Sequence, residues 1–254
     1  MAKKNDSIAV FDSGVGGISV LKELMRLMPQ ENFLYYGDNA NAPYGSRSTE
    51  DVRQLTMAAA QMLVSRHIKA LVVACNTATA AAISQLRETY PDLIIVGIEP
   101  ALKLAADHYP QGAVGVLATP VTLREEKFSR LAQQFPQMQV SSIPLPGLVE
   151  QIESICDDET LESFLRPALT PYAGKLDAAV LGCTHYPFAA KAISKILGEK
   201  TRLLDGSEGT ARETKRRLTE AGLLSDGPGS LTIESSLQNP EFVCRCCHLL
   251  DSGD

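Results

Sequence analysis

The sequence has no concentrated block of basic residues. Its 254 residues include 24 lysines and arginines against 30 aspartates and glutamates, a formal net charge of −6 at pH 7. Proteins that bind nucleic acids usually carry clustered positive charge, because they must neutralise phosphates. We therefore expect no nucleic-acid partner.

Long apolar runs are also lacking. Apolar stretches such as 70–75 and 178–181 fall far short of the roughly 20 residues that a helix needs to cross a bilayer. The basic start of the chain leads into the short apolar run 8–11 and then Asp12, without the apolar region of about 7–15 residues that a secretory signal has. With 44% hydrophobic and 21% charged residues, the composition is typical of a globular protein. We expect a cytoplasmic protein that does not associate with a membrane.

Cysteine is too scarce for a disulfide scaffold, since the chain has six. In a reducing compartment each is a buried apolar residue, a metal ligand or a reactive thiol. The C-terminal segment Cys244-Arg-Cys-Cys-His248 offers soft ligands but lacks the paired spacing of a structural zinc site, and we expect no metal there.

Nucleotide-binding motifs are missing as well. The glycines at 14, 16 and 17 do not complete G-x-G-x-x-G, and no segment matches G-x-x-x-x-G-K-S/T. Dinucleotide or nucleoside triphosphate binding therefore has little support.

Short apolar runs alternate with segments of helical periodicity along the whole chain. The runs predict strands at 8–11, 33–36, 71–74, 93–96, 114–117, 139–143, 179–181 and 203–204. The periodic segments predict helices at 18–28, 51–65, 78–89, 122–134, 161–172, 188–197 and 210–221. This alternation predicts an α/β fold in which helices cover parallel sheets. Ligands bind such folds at the carboxyl ends of the strands.

Four of the predicted strand ends form two related pairs. Ser13 and Thr119 each follow an apolar strand and lie 106 residues apart (119 − 13); Cys75 and Cys183 each follow another and lie 108 apart (183 − 75). We interpret the repeat as an internal duplication that produces two pseudo-symmetric α/β domains with the active site in the cleft between them. The first domain is expected to comprise residues 1–97 plus 206–254, with the chain returning after residue 206 to complete it. The second comprises residues 98–205.

One cysteine from each domain suits the inversion of a stereocentre. That reaction needs a base on one face of a carbon atom and an acid on the other, with the roles exchanged in the reverse direction. A free thiol has a pKa of about 8.5, so each thiol needs local tuning, and a helix beginning at each strand end would favour the thiolate. The same helix N-termini, with neighbouring hydroxyl and amide groups, would suit the carboxylates of an acidic ligand.

Taken one at a time, these residues have simpler explanations. A cysteine at the end of an apolar strand is usually packed in a core, Asp12 is compatible with a helix cap, and His185 with a structural hydrogen bond. Asp38 and Glu150, beside turn-like segments, have the pattern of surface acids. Two other functions stay open: a thiol hydrolase or amidase with Cys183 as nucleophile and His185 as base, and a non-catalytic amino-acid-binding protein.

Six segments together resemble the bacterial glutamate racemases, in the same order, over about residues 8–209. The segments are Phe11-Asp-Ser-Gly-Val-Gly-Gly17, Tyr36-Gly-Asp38 with Ala42-Pro-Tyr-Gly45, Ala74-Cys-Asn-Thr-Ala-Thr79, Gly97-Ile-Glu-Pro100, Ala118-Thr-Pro-Val-Thr122 and Leu181-Gly-Cys-Thr-His-Tyr-Pro187. The resemblance implies interconversion of L- and D-glutamate without a cofactor, which supplies D-glutamate for peptidoglycan. It also implies a homodimer. The C-terminal segment 242–250 departs from the closing strand and tail of that family.

The resemblance also implies roles for individual residues. Cys75 and Cys183 would be the two proton donors and acceptors, Cys75 for the D enantiomer and Cys183 for the L enantiomer. Asp12, Asp38, Glu150 and His185 would assist in acid–base chemistry, which replaces the surface interpretation of Asp38 and Glu150, and His185 after the second Cys-Thr favours glutamate over aspartate. The residues implied in substrate binding are Asp12, Ser13, Tyr44, Gly45, Asn76, Thr77, Thr119, Thr122, Thr184 and His185.

Overall fold

The computed structural model describes residues 2–98, 101–124, 126–154, 157–237 and 239–251. The chain divides into two compact units, one formed by residues 1–99 and 207–254 and the other by residues 100–206. Each unit has its own sheet, and every strand pair in both sheets is parallel. The predicted α/β class is thus confirmed. Within the described residues, no helix has both the length and the apolar character that crossing a bilayer requires.

The elements alternate as the apolar pattern predicts. The strands are β1 (Ile8–Asp12), β2 (Asn32–Gly37), β3 (Ala70–Val73), β4 (Ile94–Gly97), β5 (Ala113–Ala118), β6 (Gln139–Pro144), β7 (Ala178–Leu181), β8 (Arg202–Leu204) and β9 (Ser230–Ser235). The helices are α1 (Ile18–Leu27), α2 (Thr49–Val64), α3 (Asn76–Thr89), α4 (Ala101–His108), α5 (Pro120–Arg124), α6 (Glu126–Gln133), α7 (Leu148–Glu153), α8 (Asp158–Leu169), α9 (Ala190–Leu197), α10 (Ser207–Glu220) and α11 (Pro240–Asp251).

The sheet of the first unit has the strand order β4-β3-β1-β2-β9. Every residue of β1 and β3 is buried, because central strands of a parallel sheet are covered on both faces and so become continuous apolar runs. Phe11, Leu63, Leu71 and Leu86 belong to the core that joins this sheet to α2 and α3. The carboxyl ends of β1 and β3 therefore lie side by side on a rigid support.

The sheet of the second unit repeats the topology of the first. Its order is β6-β5-β7-β8, so β5 to β8 are connected and paired as β1 to β4 are. Ile8 pairs with Ala70 in the first sheet and Val114 with Ala178 in the second. The offsets between these pairs, 106 (114 − 8) and 108 (178 − 70), equal those between the two strand-end motifs. Strand order and register thus both support the predicted duplication.

The last part of the chain returns to the first sheet. β9 pairs in parallel with β2, with Ser230 opposite Asn32. The helix after it, α11, buries Phe242 and Cys246 and leaves Cys244 and Cys247 exposed. In the described part of the chain no group of three His, Cys, Asp or Glu side chains is arranged to hold a metal ion.

Three helices were not predicted from the sequence: α4, α7 and α11. The first is eight residues long and buries mainly alanines, so its apolar period is weak; α7 has only six residues, too few to display a period. The helix predicted at 122–134 is described as α5 and α6 on either side of residue 125, and α5 begins at Pro120, a residue suited to the first turn of a helix.

A buried ion pair ties the return segment to the first sheet. The Lys69 ammonium contacts the carboxylate of Glu31, and their side chains are 0% and 2% exposed. Lys69 also donates to the carbonyl of Leu223 at 3.0 Å, and Glu31 accepts the backbone N–H of Ser225 at 2.8 Å. Burial of two charges is tolerated when their hydrogen bonds are satisfied in this way.

Candidate active site

The carboxyl ends of β1 and β3 form the first half-site. The backbone N–H of Ala74 donates to the carbonyl of Phe11 at 2.8 Å, which continues the strand pairing to the motif residues. Asp12 is fully buried and its Oδ1 accepts the N–H of Gly14 at 2.8 Å. The hydroxyl of Ser13 lies 3.5 Å from the sulfur of Cys75. Two segments 62 residues apart in sequence thus meet at one thiol.

Cys75 occupies the N-cap position of α3. Its Sγ accepts the backbone N–H of Ala78 at 3.4 Å, and the helix N-terminus adds partial positive charge beside the sulfur. Both features favour the thiolate form. The expectation that a helix begins at this cysteine is confirmed.

Asp38 and Tyr44 form a buried pair at the end of β2. The phenol of Tyr44 donates to Asp38 Oδ2 at 2.7 Å, and the Asn41 amide donates to both carboxylate oxygens at 3.1 Å. Burial, followed by the hydrogen bond to Asp38 and the charges of Asp38, Cys75 and Asp12, raises the pKa of Tyr44 well above its ordinary value. Tyr44 therefore stays a hydrogen-bond donor across the physiological range. Because Asp38 is only 5% exposed, the surface interpretation drawn from its neighbours alone is wrong.

The first turn of α3 presents donors next to the thiol. The Nδ2 atom of Asn76 is buried and has no hydrogen-bond partner among the residues that the structure describes. Thr77 is buried beside it, and Gly45 is half-buried in the 3₁₀ turn that contains Tyr44. A buried amide without a partner costs free energy, and a carboxylate ligand would supply the missing acceptor.

Gly17 keeps the loop between β1 and α1 close to the strand end. A Cβ atom at this position would lie 2.7 Å from the Cβ of Asp12, closer than two carbon atoms can pack. The glycine is therefore needed for the loop to close over Asp12.

The carboxyl ends of β5 and β7 form the second half-site in the other unit. The N–H of Gly182 donates to the carbonyl of Leu117 at 2.7 Å, a bond equivalent to that between Ala74 and Phe11. Thr119 is buried, and its Oγ1 accepts the N–H of Thr122 at 3.3 Å and lies 3.0 Å from the Thr122 hydroxyl. Thr119 thus takes the position in this sheet that Ser13 takes in the first.

The chain continues differently after Cys183 than after Cys75. The chain turns through Thr184 and His185 into a 3₁₀ helix, Tyr186–Ala189, before α9 begins. The expectation of an α-helix directly after this cysteine is therefore wrong. Pro187 has no N–H to donate, and short turns form instead, with the N–H of Tyr186 bonded to the carbonyl of Cys183 at 3.0 Å.

His185 supplies the polar contact of the second thiol. Its Nδ1 lies 3.9 Å from the sulfur of Cys183, and its Nε2 lies 2.7 Å from a carboxylate oxygen of Glu153. The imidazole is 4% exposed and Glu153 is 28% exposed. A neutral imidazole that donates from Nε2 to this carboxylate presents Nδ1 as an acceptor to the thiol. The three side chains form one chain of contacts, the Cys–His–Glu relay.

Glu153 was missed in the sequence, where the family resemblance implied an acid–base role for Glu150. Both lie on α7, three residues apart, but Glu150 is exposed and the hydrogen bond to His185 comes from Glu153. The charge of Glu150 acts on Tyr186, whose pKa is raised first by burial and then by the charges of Cys183 and Glu150. In the sequence, the two glutamates were linked only by their spacing of three residues, which places neighbouring side chains on one side of a helix.

Comparisons with known proteins identify the family of the chain. The family model for Asp/Glu/hydantoin racemases matches residues 16–214. The chain is 46% identical over 258 residues to a glutamate racemase of Clostridium botulinum, with all of both chains covered.

Solved structures give the same result. Glutamate racemase isoform RacE1 from Bacillus anthracis superposes with a TM-score of 0.89 at 32% identity, covering 98% of this chain and 95% of that one. Glutamate racemase from Francisella tularensis, in complex with D-glutamate, superposes with a TM-score of 0.88 at 28% identity, covering 98% and 95%. The chain therefore belongs to the glutamate racemases of the Asp/Glu/hydantoin racemase family.

Proposed function

We propose that this enzyme interconverts L- and D-glutamate by proton transfer between Cys75, Cys183 and the α-carbon, and so supplies D-glutamate for peptidoglycan. The observation that carries the proposal is the equivalence of the two cysteines. Each lies two residues beyond the third strand of its unit, in sheets of the same order and register. A duplicated position that keeps a thiol in both copies fits a reaction that needs one acid and one base of the same kind.

Substrate binding uses the donors that surround the two thiols. We assign the carboxylates of glutamate to Ser13, Asn76 and Thr77 in the domain formed by residues 1–97 and 206–254, and to Thr119, Thr122 and Thr184 in the domain of residues 98–205. The buried Asn76 amide without a described partner supports this assignment. Tyr44 and Gly45 line the first half-site with Asp38. We propose that the two domains meet at a cleft and hold one glutamate molecule there.

In the reaction itself, one sulfur starts as thiolate and the other as thiol. The thiolate takes the α-proton, and the electron pair left on carbon delocalises into the α-carboxylate. The second thiol then donates its proton to the opposite face and becomes the thiolate, so that protons and charge balance. Donors aimed at the α-carboxylate stabilise the added negative charge, which is usually the largest contribution in such catalysis. Lowering a thiol pKa from about 8.5 to 7 would contribute roughly 2 kcal/mol more.

Each thiol has its own assisting group under this proposal. Ser13 and the start of α3 hold Cys75 for its part in the reaction of the D enantiomer. The relay of His185 and Glu153 holds Cys183 for the L enantiomer. Asp12 and Asp38 are buried acids beside the first half-site, and Glu150 stands near the second as a further acid–base group.

Replacing each thiol in turn tests the proposal. Cys75→Ala and Cys183→Ala should each abolish the change in circular dichroism of L- or D-glutamate while glutamate still binds, and Cys247→Ala, on the exposed side of α11, should keep full activity. In D₂O the wild type should place deuterium at the α-carbon. Full turnover by Cys75→Ala would contradict the two-thiol mechanism. A wild type that places no deuterium at the α-carbon would favour a hydrolase that uses Cys183 and His185. Saturable binding by the wild type without racemisation would favour an amino-acid-binding protein.

We also propose that the enzyme acts in the cytoplasm as a homodimer. The location is the expectation stated from the sequence, and the homodimer is what the family resemblance implies. Sedimentation equilibrium should give twice the chain mass of 27.4 kDa, and a monomer at micromolar concentration would contradict the assembly.

A further inference from the structure

The first unit contains a cavity whose lining does not include Cys75. Its volume is about 970 Å³, and it is lined by Tyr36, Met62, Arg66, residues 233–236, Val243 and Cys244, among others. It lies at the outer side of β9, the last strand of the sheet, between the end of α2 and the start of α11. The volume is at the upper end of the range of about 300–1,000 Å³ that is usual for small-molecule sites.

One wall of this cavity is the outer edge of β9, which no other described strand pairs with. The N–H groups of Ser230 and Ser236 bond to carbonyls of the segment that contains β2. Because the backbone groups of a strand alternate between its two sides, the N–H and C=O groups of residues 231, 233 and 235 point away from β2. Ile233 and Ser235 are two of these, and both line the cavity. An open edge strand presents backbone donors and acceptors that seek a partner.

The remaining walls are apolar or neutral. Met62, Ile233 and Val243 contribute aliphatic surface and Tyr36 an aromatic ring. Arg66 and Glu234 form an ion pair at 2.6 Å across the cavity wall, so these two charges largely cancel. Nothing in this pair selects a cation or an anion.

Ser235 adds a polar group that lacks a partner. The residue is 8% exposed, and its Oγ has no hydrogen-bond partner among the described residues. A buried hydroxyl in this state costs free energy. A ligand that brings a hydrogen-bonding group to this wall would remove that cost.

We propose that this cavity binds a small, uncharged aromatic or heteroaromatic molecule. Its ring packs against Tyr36, Met62 and Val243, and its polar groups hydrogen-bond to the strand edge at Ile233 and Ser235. The site goes beyond the racemase activity and uses none of the residues assigned to it.

Two exposed thiols on α11 give a matched test. Cys244 lines the cavity, whereas Cys247, three residues later, is exposed outside the group that lines it. The symmetric disulfide of N-(2-mercaptoethyl)benzamide is the probe, and that of N-(2-mercaptoethyl)acetamide is its control without a ring. A protein thiolate attacks the probe disulfide, a mixed disulfide forms and one thiol leaves. Excess 2-mercaptoethanol makes the exchange reversible, so that occupancy reports affinity.

Trypsin cleavage after Arg245 separates the two cysteines for mass spectrometry. We expect the ratio of benzamide to acetamide occupancy at Cys244 to exceed that at Cys247 by about tenfold, a difference of about 1.4 kcal/mol. Equal ratios at the two cysteines would overturn the proposal.

A cavity-filling variant provides the second measurement. Val243 is 36% exposed, so Val243→Trp can place its indole in the cavity without disturbing the core. The benzamide preference at Cys244 should disappear in this variant while its thermal unfolding stays like that of the wild type. A preference that survives in a normally folded Val243→Trp protein would also overturn the proposal, because the ring would then bind elsewhere.

Discussion

Replacing Glu153 by glutamine isolates the charge in the Cys–His–Glu relay. The change preserves size and removes the carboxylate that accepts from His185 Nε2 at 2.7 Å. A hydrogen bond to a charged group contributes about 1.5–3 kcal/mol, and the 28% exposure of Glu153 places this one near the lower limit. Since 1.4 kcal/mol is a factor of ten in rate, we expect kcat to fall about tenfold. KM should stay within about twofold, because Glu153 acts through His185.

The assay is racemisation followed by circular dichroism from both enantiomers. The two substrates have equal free energies, so kcat/KM must fall by the same factor in both directions. Glu153→Asp, which retains the charge on a shorter side chain, should restore part of the rate. Glu199→Gln makes the same chemical change at an exposed turn of the same unit and should leave the kinetics unchanged.

Comparison with Glu150→Gln decides which glutamate supports the thiol. Wild-type kcat in Glu153→Gln together with a large loss in Glu150→Gln would refute the reasoning from the hydrogen bond. A rise in KM with kcat unchanged would also refute it, since that would mean that Glu153 contacts the substrate.

Three further predictions concern stability. Lys69→Met leaves its buried acidic partner uncompensated and should lower the free energy of unfolding in urea by about 3–5 kcal/mol; a loss below about 1 kcal/mol would contradict a structural role for the pair. Hydrogen bonds from Arg216 lower the pKa of Glu213 to about 2. The ionised carboxylate of Glu213 therefore stabilises the folded state fully above the ordinary carboxyl pKa, and this stabilisation disappears as the pH falls towards 2. Between pH 5 and 2, the free energy of unfolding of Glu213→Gln, measured by thermal unfolding, should therefore change less than that of the wild type, by up to about 1 kcal/mol. The same pH dependence in both proteins would exclude the effect. Gly37→Ala places a methyl group 2.2 Å from the Phe242 ring and should lower the free energy of unfolding by about 1–3 kcal/mol. An unchanged melting temperature would contradict this prediction.

The sequence by itself determined the eight strands of the repeated topology and the position of both thiols. Central strands of parallel sheets are covered on both faces, so their positions appear as uninterrupted apolar runs such as 8–11 and 70–75. The chain positions of Ser13, Cys75, Thr119 and Cys183 at strand ends follow from the same runs. The repeat of about 107 residues was readable because duplication preserves spacing as well as pattern.

Only the tertiary structure decided which polar groups meet. Asp38 has the local sequence of a surface acid, yet it is buried under Tyr44. Glu150 and Glu153 are equally placed by pattern, and the packing of α7 selects Glu153 for His185. The ion pair of Lys69 and Glu31 and the pairing of β9 with β2 likewise join segments far apart in the chain. The hydrophobic periodicity of the sequence indicates which residues are buried. Hydrogen bonds between elements depend on distances of a few ångströms, and these distances are set by the packing of the whole unit.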